Sequence, residues 1–163
     1  TDAYLALTGC DIALSHGWRY GPPVPPGPVT LGDLWTMIPT NPEVETAEVT
    51  GEELRVMLEQ NMQQVLAGDA FEQAGGYLVR VSGMSVVFRP NNGRGTRVER
   101  LDIRGEPYEA ERLYRVALAG KRQLRHARNR QGTGVRAIDA LRRYLAAHDA
   151  VEAPLTGTKF IAQ

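Results

Sequence analysis

At Met84 the hydrophobic period of the chain changes. Before it, Leu54, Met57, Leu58, Met62, Val65 and Leu66 recur at helical spacing within "GEELRVMLEQNMQQVLAG". After it, "MSVVFR", "TRVERLDI" and "LYRVALAG" alternate at period two, separated by the turn-rich stretches "PNNGRG" and "GEPYEAE". A chain carrying both patterns has to lay helix against sheet. The alternation from Arg97 to Ile103 further predicts a sheet with one wet face.

The flanking segments fit the same plan. "DAYLALTG" reads as a helix stopped at Gly9, and "DIALS" as a short buried strand of the parallel kind. Thr30 and Asp33 form a capping box ahead of "TLGDLWTMI", "PEVETAEVT" is extended, and Thr50 with Glu53 opens the long helix in the same way. The methionine-bearing stripe of that helix is core rather than a cofactor box. "KRQLRHARNRQGTG" reads as a polar, basic loop, and "GVRAIDALRRYLAAH" as a last amphipathic helix with Val135, Ile138, Leu141, Tyr144 and Leu145 inward. Neither repeats nor a linker interrupt the pattern. The expected architecture is a single α+β domain over residues 1–163, a mixed β-sheet flanked by helices.

Composition narrows the function classes. With 42% hydrophobic and 23% charged residues, the chain is globular rather than disordered, and no apolar run reaches membrane-spanning length. The opening "TDAYLALTGCD" has neither a basic leader nor an initiator methionine, and reads as a processed or excised piece. Cys10 is the one cysteine, so no internal disulfide is expected, and it reads as a small buried filler. His16, His126 and His148 stand far apart without a second ligand at helical or hairpin spacing, so no intrinsic metal site is expected. The residues offer no activated nucleophile and no paired general acid and base.

Charge is balanced overall but not along the chain. Residues 1–80 carry 3 basic and 11 acidic side chains, residues 81–163 carry 16 and 8. Between Lys121 and Arg143, eight basic residues face Asp139 alone, a block expected to attract anions in part and to be a solvated face in part. It has no interleaved aromatics, which disfavours nucleic acid.

Residues 15–21, "SHGWRYG", follow the buried "DIALS" and precede "PPVPPGP". One arginine stands there between two aromatics and two glycines, in a loop that glycine frees and proline stiffens. Guanidinium is permanently charged and presents a planar fork of donors to an oxyanion, which makes Arg19 a candidate anion contact. Gly132-Thr133-Gly134, ahead of the last helix, is a weaker candidate: exposed N–H groups at a helix start attract anions.

The order of these elements, with "LTGCDIALSHGWR", "GPVTLGDLWTMIP", "VTGEELRVMLEQ", "VSGMSVVFR" and "LYRVALAG", resembles the C-terminal domain of the 5′-nucleotidase family along essentially the whole chain. The resemblance implies a two-domain hydrolase. Its N-terminal metallophosphoesterase domain, absent from this sequence, would hold two divalent metal ions (Mn or Zn), and the present domain would grip the substrate with no cofactor of its own. This domain alone is then expected to be inactive. The resemblance also places Arg19 at the position that meets the anionic part of the substrate, with His16 and Gly17 beside it.

Two departures weigh against a nucleotide. The family stacks the base between aromatics after the "LP" of the short helix and in the loop following "YRVA". Here Thr40 stands at the first place, and "LAGKRQLRHARNRQGTG" has no aromatic. The sulfate thiohydrolase (SoxB) branch of the family is the better local match, through "GWRYG" and "GGYLVRVSGM". That likeness implies removal of sulfate from a thiosulfonate on a carrier protein's cysteine arm. Arg19 would meet the sulfonate, and Trp18, Tyr20, Gly75 and Gly76 would line a slot for the arm. The alternatives are hydrolysis of a nucleotide or other phosphoester, and a non-catalytic anion- or partner-binding module. The family places such proteins in the periplasm or outside the cell, and a membrane is not expected among the partners.

Overall fold

In the computed structural model, residues 1–16, 24–74, 76–120, 124–151 and 160–162 are described, the last three by backbone alone. Helix α1 (Asp2–Thr8) stops where Gly9 turns left-handed (φ 62°) and its N–H returns to Leu5 O. Strand β1 (Ile12–Ser15) follows, with Ile12, Ala13 and Leu14 fully buried. Both predicted capping boxes are formed: Thr30 with Asp33 opens α2 (Leu31–Met37), and Thr50 with Glu53 opens α3 (Gly51–Leu66). Between them lies β2 (Glu43–Thr50). The Thr30 hydrogen bonds hold the Asp33 carboxyl below its ordinary range.

Strands β3 (Arg80–Ser82), β4 (Met84–Phe88), β5 (Val98–Ile103), β6 (Glu106–Pro107) and β7 (Leu113–Ala119) come next. Then follow β8 (Arg128–Arg136), α4 (Ala137–Ala146) and β9 (Phe160–Ala162). They form two mixed sheets rather than one. The five-stranded sheet runs β3-β1-β7-β2-β8 and the four-stranded sheet β6-β5-β4-β9. Among the described residues, parallel pairing is confined to β1 with β7 and β4 with β9. The chain changes sheet at Gly83, where φ is +82° and a Cβ would overlap the carbonyl oxygen of Asp11. Only glycine fits there.

Around β1 and β7 the larger sheet is buried on both faces, which is why "DIALS" reads as a continuous apolar run. On one face, Ile12, Leu14, Val49, Val116 and Leu118 pack with Leu54, Leu58 and Met62 of α3 and with Val86, Phe88, Leu101 and Ile103 of the smaller sheet. On the other, Ala13, Val44 and Ala117 meet Ala3 and Tyr4 of α1 and Ala137 and Ala140 of α4, with Cys10 buried among them. The small side chains there let α1 and α4 lie close to the sheet. The last helix begins at Ala137 rather than Gly134, so Val135 lies in β8. Of the residues expected inward, Ile138 is buried, Val135, Leu141 and Tyr144 are half-buried against this cluster, and Leu145 is half-buried.

Three expectations are corrected. The second half of "KRQLRHARNRQGTG", from Arg128 onward, is the strand β8 rather than a loop, paired with β2 and facing its carboxylates. The wet face predicted for β5 is interrupted: Arg97 and Asp102 are 4% and 5% exposed. A register shift between Val87 and Phe88 breaks the alternation, and the buried polar groups find partners. Arg97 donates to Gln63 Oε1 (2.6 Å) and Pro90 O (3.1 Å), while the Arg100 guanidinium bonds Asp102 and holds its carboxyl below the usual range. Finally, β5 turns into β6 at Arg104-Gly105, both with positive φ as a tight hairpin requires, so that turn begins earlier than "GEPYEAE".

Candidate functional site

The strand directions decide where the candidate residues meet. Because β1 and β7 are parallel, both exit at the same end of the larger sheet, β1 toward His16 and β7 toward Gly120. β3 runs antiparallel to β1 with Arg80 opposite Ser15, so the approach through Gly76 lies at that end too. β2 is antiparallel to β7, with Val44 opposite Ala119, which brings Thr40–Val44 there as well. β8 leaves the sheet at the same end, Arg136 standing opposite Glu43. One rim thus gathers His16, Gly76, Arg80, the Thr40–Val44 segment and Gly132–Arg136, which are widely separated in sequence. Gly17, Trp18, Arg19, Tyr20 and Gly75 lie outside the described residues, as do Lys121 and Arg122.

At one corner of the rim, residues 41–44 hold residues 133–138 closely. Ala137 N–H donates to Pro42 O (2.8 Å), Ile138 N–H to Asn41 Oδ1 (2.9 Å), and the Arg136 guanidinium to Asn41 O (3.2 Å). Thr133 Oγ1 donates to Val44 O (2.7 Å). Asn41 itself is left-handed (φ 36°) and so turns its amide back onto α4 as an N-terminal cap. Gly134 N–H donates to Glu43 Oε1 (2.7 Å), and the same carboxylate fills the place that a Cβ on Gly132 would take. Gly132 and Gly134 therefore sit within and near the end of β8, not at a helix start, and their nearest anion is the protein's own Glu43.

Farther along β2 the charge asymmetry of the sequence is used internally. Arg128 forks onto Glu53 (2.7 and 3.0 Å), Asn129 donates to Glu48 (2.5 Å), and Arg130 lies 3.3 Å from Glu45. The Arg128 and Thr50 hydrogen bonds hold the Glu53 carboxyl below its ordinary 4.5. Two members of the basic block, Arg128 and Arg130, are thus matched by carboxylates from the acidic first half of the chain.

Opposite the rim corner, Asn61 of α3 steadies the approach to β3: its Oδ1 accepts from Val79 N–H (2.8 Å) and its amide donates to Tyr77 O (3.3 Å). Gly76, just before, is exposed and left-handed (φ 102°) with open space where a Cβ would stand. The exposed Arg80 and the carboxylate of Glu43 were not singled out from the sequence. The pairing register that carries them to the rim is non-local, and no spacing along the chain announces it. Among the described residues, no group of three or more His, Cys, Asp or Glu side chains could hold a metal ion, so these residues do not suit the two-metal centre implied by the resemblance. No helix of the described residues is long and apolar enough to cross a membrane.

The sequence matches the family model described as "5′-nucleotidase, C-terminal domain" over residues 1–123. The chain belongs to the 5′-nucleotidase family, as a C-terminal domain. Among curated proteins it is similar to the trifunctional nucleotide phosphoesterase protein YfkN of Bacillus subtilis, 28% identical over 116 residues, which is 67% of this chain and 7% of that protein. Two solved structures from Thermus thermophilus share its fold nearly end to end. The 5′-nucleotidase precursor superposes with a TM-score of 0.81 at 25% identity, covering 100% of this chain and 34% of that one. The sulfate thiohydrolase SoxB superposes with a TM-score of 0.84 at 26% identity, covering 99% and 31%. The chain thus spans about a third of those structures and far less of YfkN.

Proposed function

We propose that this domain holds the substrate for a two-metal hydrolase of the 5′-nucleotidase family, and that the substrate is a carrier-bound sulfur anion of the kind a sulfate thiohydrolase takes. The observation that carries the reading is the common rim: β1, β3, β7, β2 and β8 bring His16, Gly76, Gly132 and Gly134 to one end of the five-stranded sheet. Arg19 follows His16 by three residues and is assigned the anion, with Gly17, Trp18, Tyr20 and Gly75 beside it. The arm of a carrier protein would enter past Gly76, where the backbone is open. The metal ions, Mn or Zn, belong to a preceding metallophosphoesterase domain and would supply the activated water. The residues of this domain bind and orient. A periplasmic or extracellular location goes with this reading.

The nucleotide alternative draws on the printed names of YfkN and the Thermus 5′-nucleotidase. Against it stand the exposed Thr40 and the described residues 124–136, which offer no Phe, Tyr or Trp and, as a ring, the exposed imidazole of His126 alone. A purely anion-binding module is disfavoured by the internal pairing of Arg128 and Arg130.

The test is turnover by the full-length protein of two substrates: AMP, and a peptide bearing a cysteine thiosulfonate. Sulfate release from the peptide, lost about 10- to 150-fold in kcat/KM on Arg19→Ala without a fall in Tm, supports the reading. Preferential AMP hydrolysis selects the nucleotide alternative. Arg19→Ala without effect on either substrate overturns the assignment of the site.

A further inference from the structure

Glu43 stands at the rim and has no counterpart among the residues that the proposed reading uses. Its carboxylate does two things at once. It accepts the N–H of Gly134 at 2.7 Å, where the backbone is left-handed (φ 71°), and it occupies the space left by the missing side chain of Gly132, its Cδ 3.0 Å from where a Cβ would be. Any side chain at 132 would push the carboxylate away, and any loss of the carboxylate would free the Gly134 amide. The register between β2 and β8 slips between Glu43 and Glu45, so backbone pairing alone does not fix this segment. Gly132 is paired with Glu45 and Thr133 is bonded to Val44 O, while the bonds from Asn41 and Pro42 act on residues 136–138, so the Gly134 amide is held by Glu43.

We infer that Glu43 is a positioning residue: it fixes the Gly132–Gly134 segment in the shape that faces the substrate. This inference rests on the proposed reading, in which that segment lines the substrate site. A residue that only shapes a binding surface changes binding in the ground state and the transition state alike, so its removal raises KM and leaves kcat unchanged.

The experiment is steady-state kinetics on full-length Glu43→Ala, Glu43→Gln and Arg19→Ala, with AMP and the thiosulfonate peptide as probes and a melting curve for each preparation. Glu43→Ala is expected to raise KM roughly tenfold with kcat within about twofold of the parent. Glu43→Gln, whose amide oxygen still accepts from Gly134, is expected to restore KM to within about threefold. A Glu43→Ala protein with unchanged KM beside an Arg19→Ala protein that has lost activity overturns the inference and leaves the functional reading standing. A fall in kcat equal to the rise in KM, or a rise that Glu43→Gln fails to rescue, also overturns it. If Arg19→Ala is silent as well, the functional reading falls and takes this inference with it.

Discussion

Strand β2 has two seams, and they are built differently. Toward β7 it pairs over seven successive residues, Val44–Thr50 against Leu113–Ala119, without a slip. That seam is lined by Val44, Ala47, Val49, Val116 and Leu118, all essentially buried. Toward β8 the register breaks twice, and the strands are held by Glu53 with Arg128, Glu48 with Asn129, Glu45 with Arg130 and Glu43 with Gly134. The inner seam is fixed by apolar burial, which is non-directional and strong in sum. The outer seam is fixed by individual polar contacts at the surface, each weak and each replaceable. Stability therefore concentrates in one seam, and the freedom to vary a binding surface in the other.

The comparison breaks if a change on the outer seam costs as much as one on the inner. Leu118→Ala, at a fully buried position, is expected to destabilise by about 2–5 kcal/mol, read as the urea midpoint at constant m-value. Glu53→Ala removes both the α3 capping partner and the Arg128 fork, and is expected to cost about 1 kcal/mol at neutral pH. Because the folded carboxyl titrates below its ordinary 4.5, this contribution is fully present above that pH. It is lost as the pH falls through the lowered value. The difference between parent and variant should therefore shrink in acid, and a difference that grows there would contradict the assignment.

Gly132→Ala sharpens the contrast. The atoms it meets are the far end of a flexible glutamate, so the side chain swings away and the cost is about 1 kcal/mol, the price of one hydrogen bond. Its kinetic signature should match that of Glu43→Ala. Smallest of all, Arg128→Ala should lower the urea midpoint least of the four, with the difference vanishing in high salt, since half of the arginine side chain is exposed. A salt-independent loss would place that pair in a drier setting than the structure gives it.

Legibility divides along the same line. The two capping boxes, the Gly9 stop and the buried "DIALS" strand could be read from sequence because each rests on a few adjacent residues. β8 could not, because Arg, Asn, Gln and Gly have little preference for a strand. Its partner strand lies some eighty residues upstream, as the Glu48–Asn129 contact shows. Arg104 in a left-handed turn and the burial of Arg97 and Asp102 were hidden for a related reason: each depends on a neighbour brought in by the fold. For the site, "SHGWRYG" and "GG" are legible as motifs, yet the meeting of His16 and Gly76 at one rim depends on β3 running antiparallel to β1. No local pattern encodes that direction. Glu43 went unremarked because a single glutamate at the start of an acidic strand looks like any other until Gly132 and Gly134 are set against it.

The bends in β8 bear on how these molecules behave when crowded together. A flat outermost strand offers a straight row of amides and carbonyls on which another chain can build. Here Asn129 and Gly134 are left-handed and the register slips twice, so the row is crooked at both ends, and charged side chains occupy its length. A second copy approaching that border finds nowhere to dock several residues in succession. The irregularity that hides this strand in the sequence also guards that edge of the sheet against addition of a further strand.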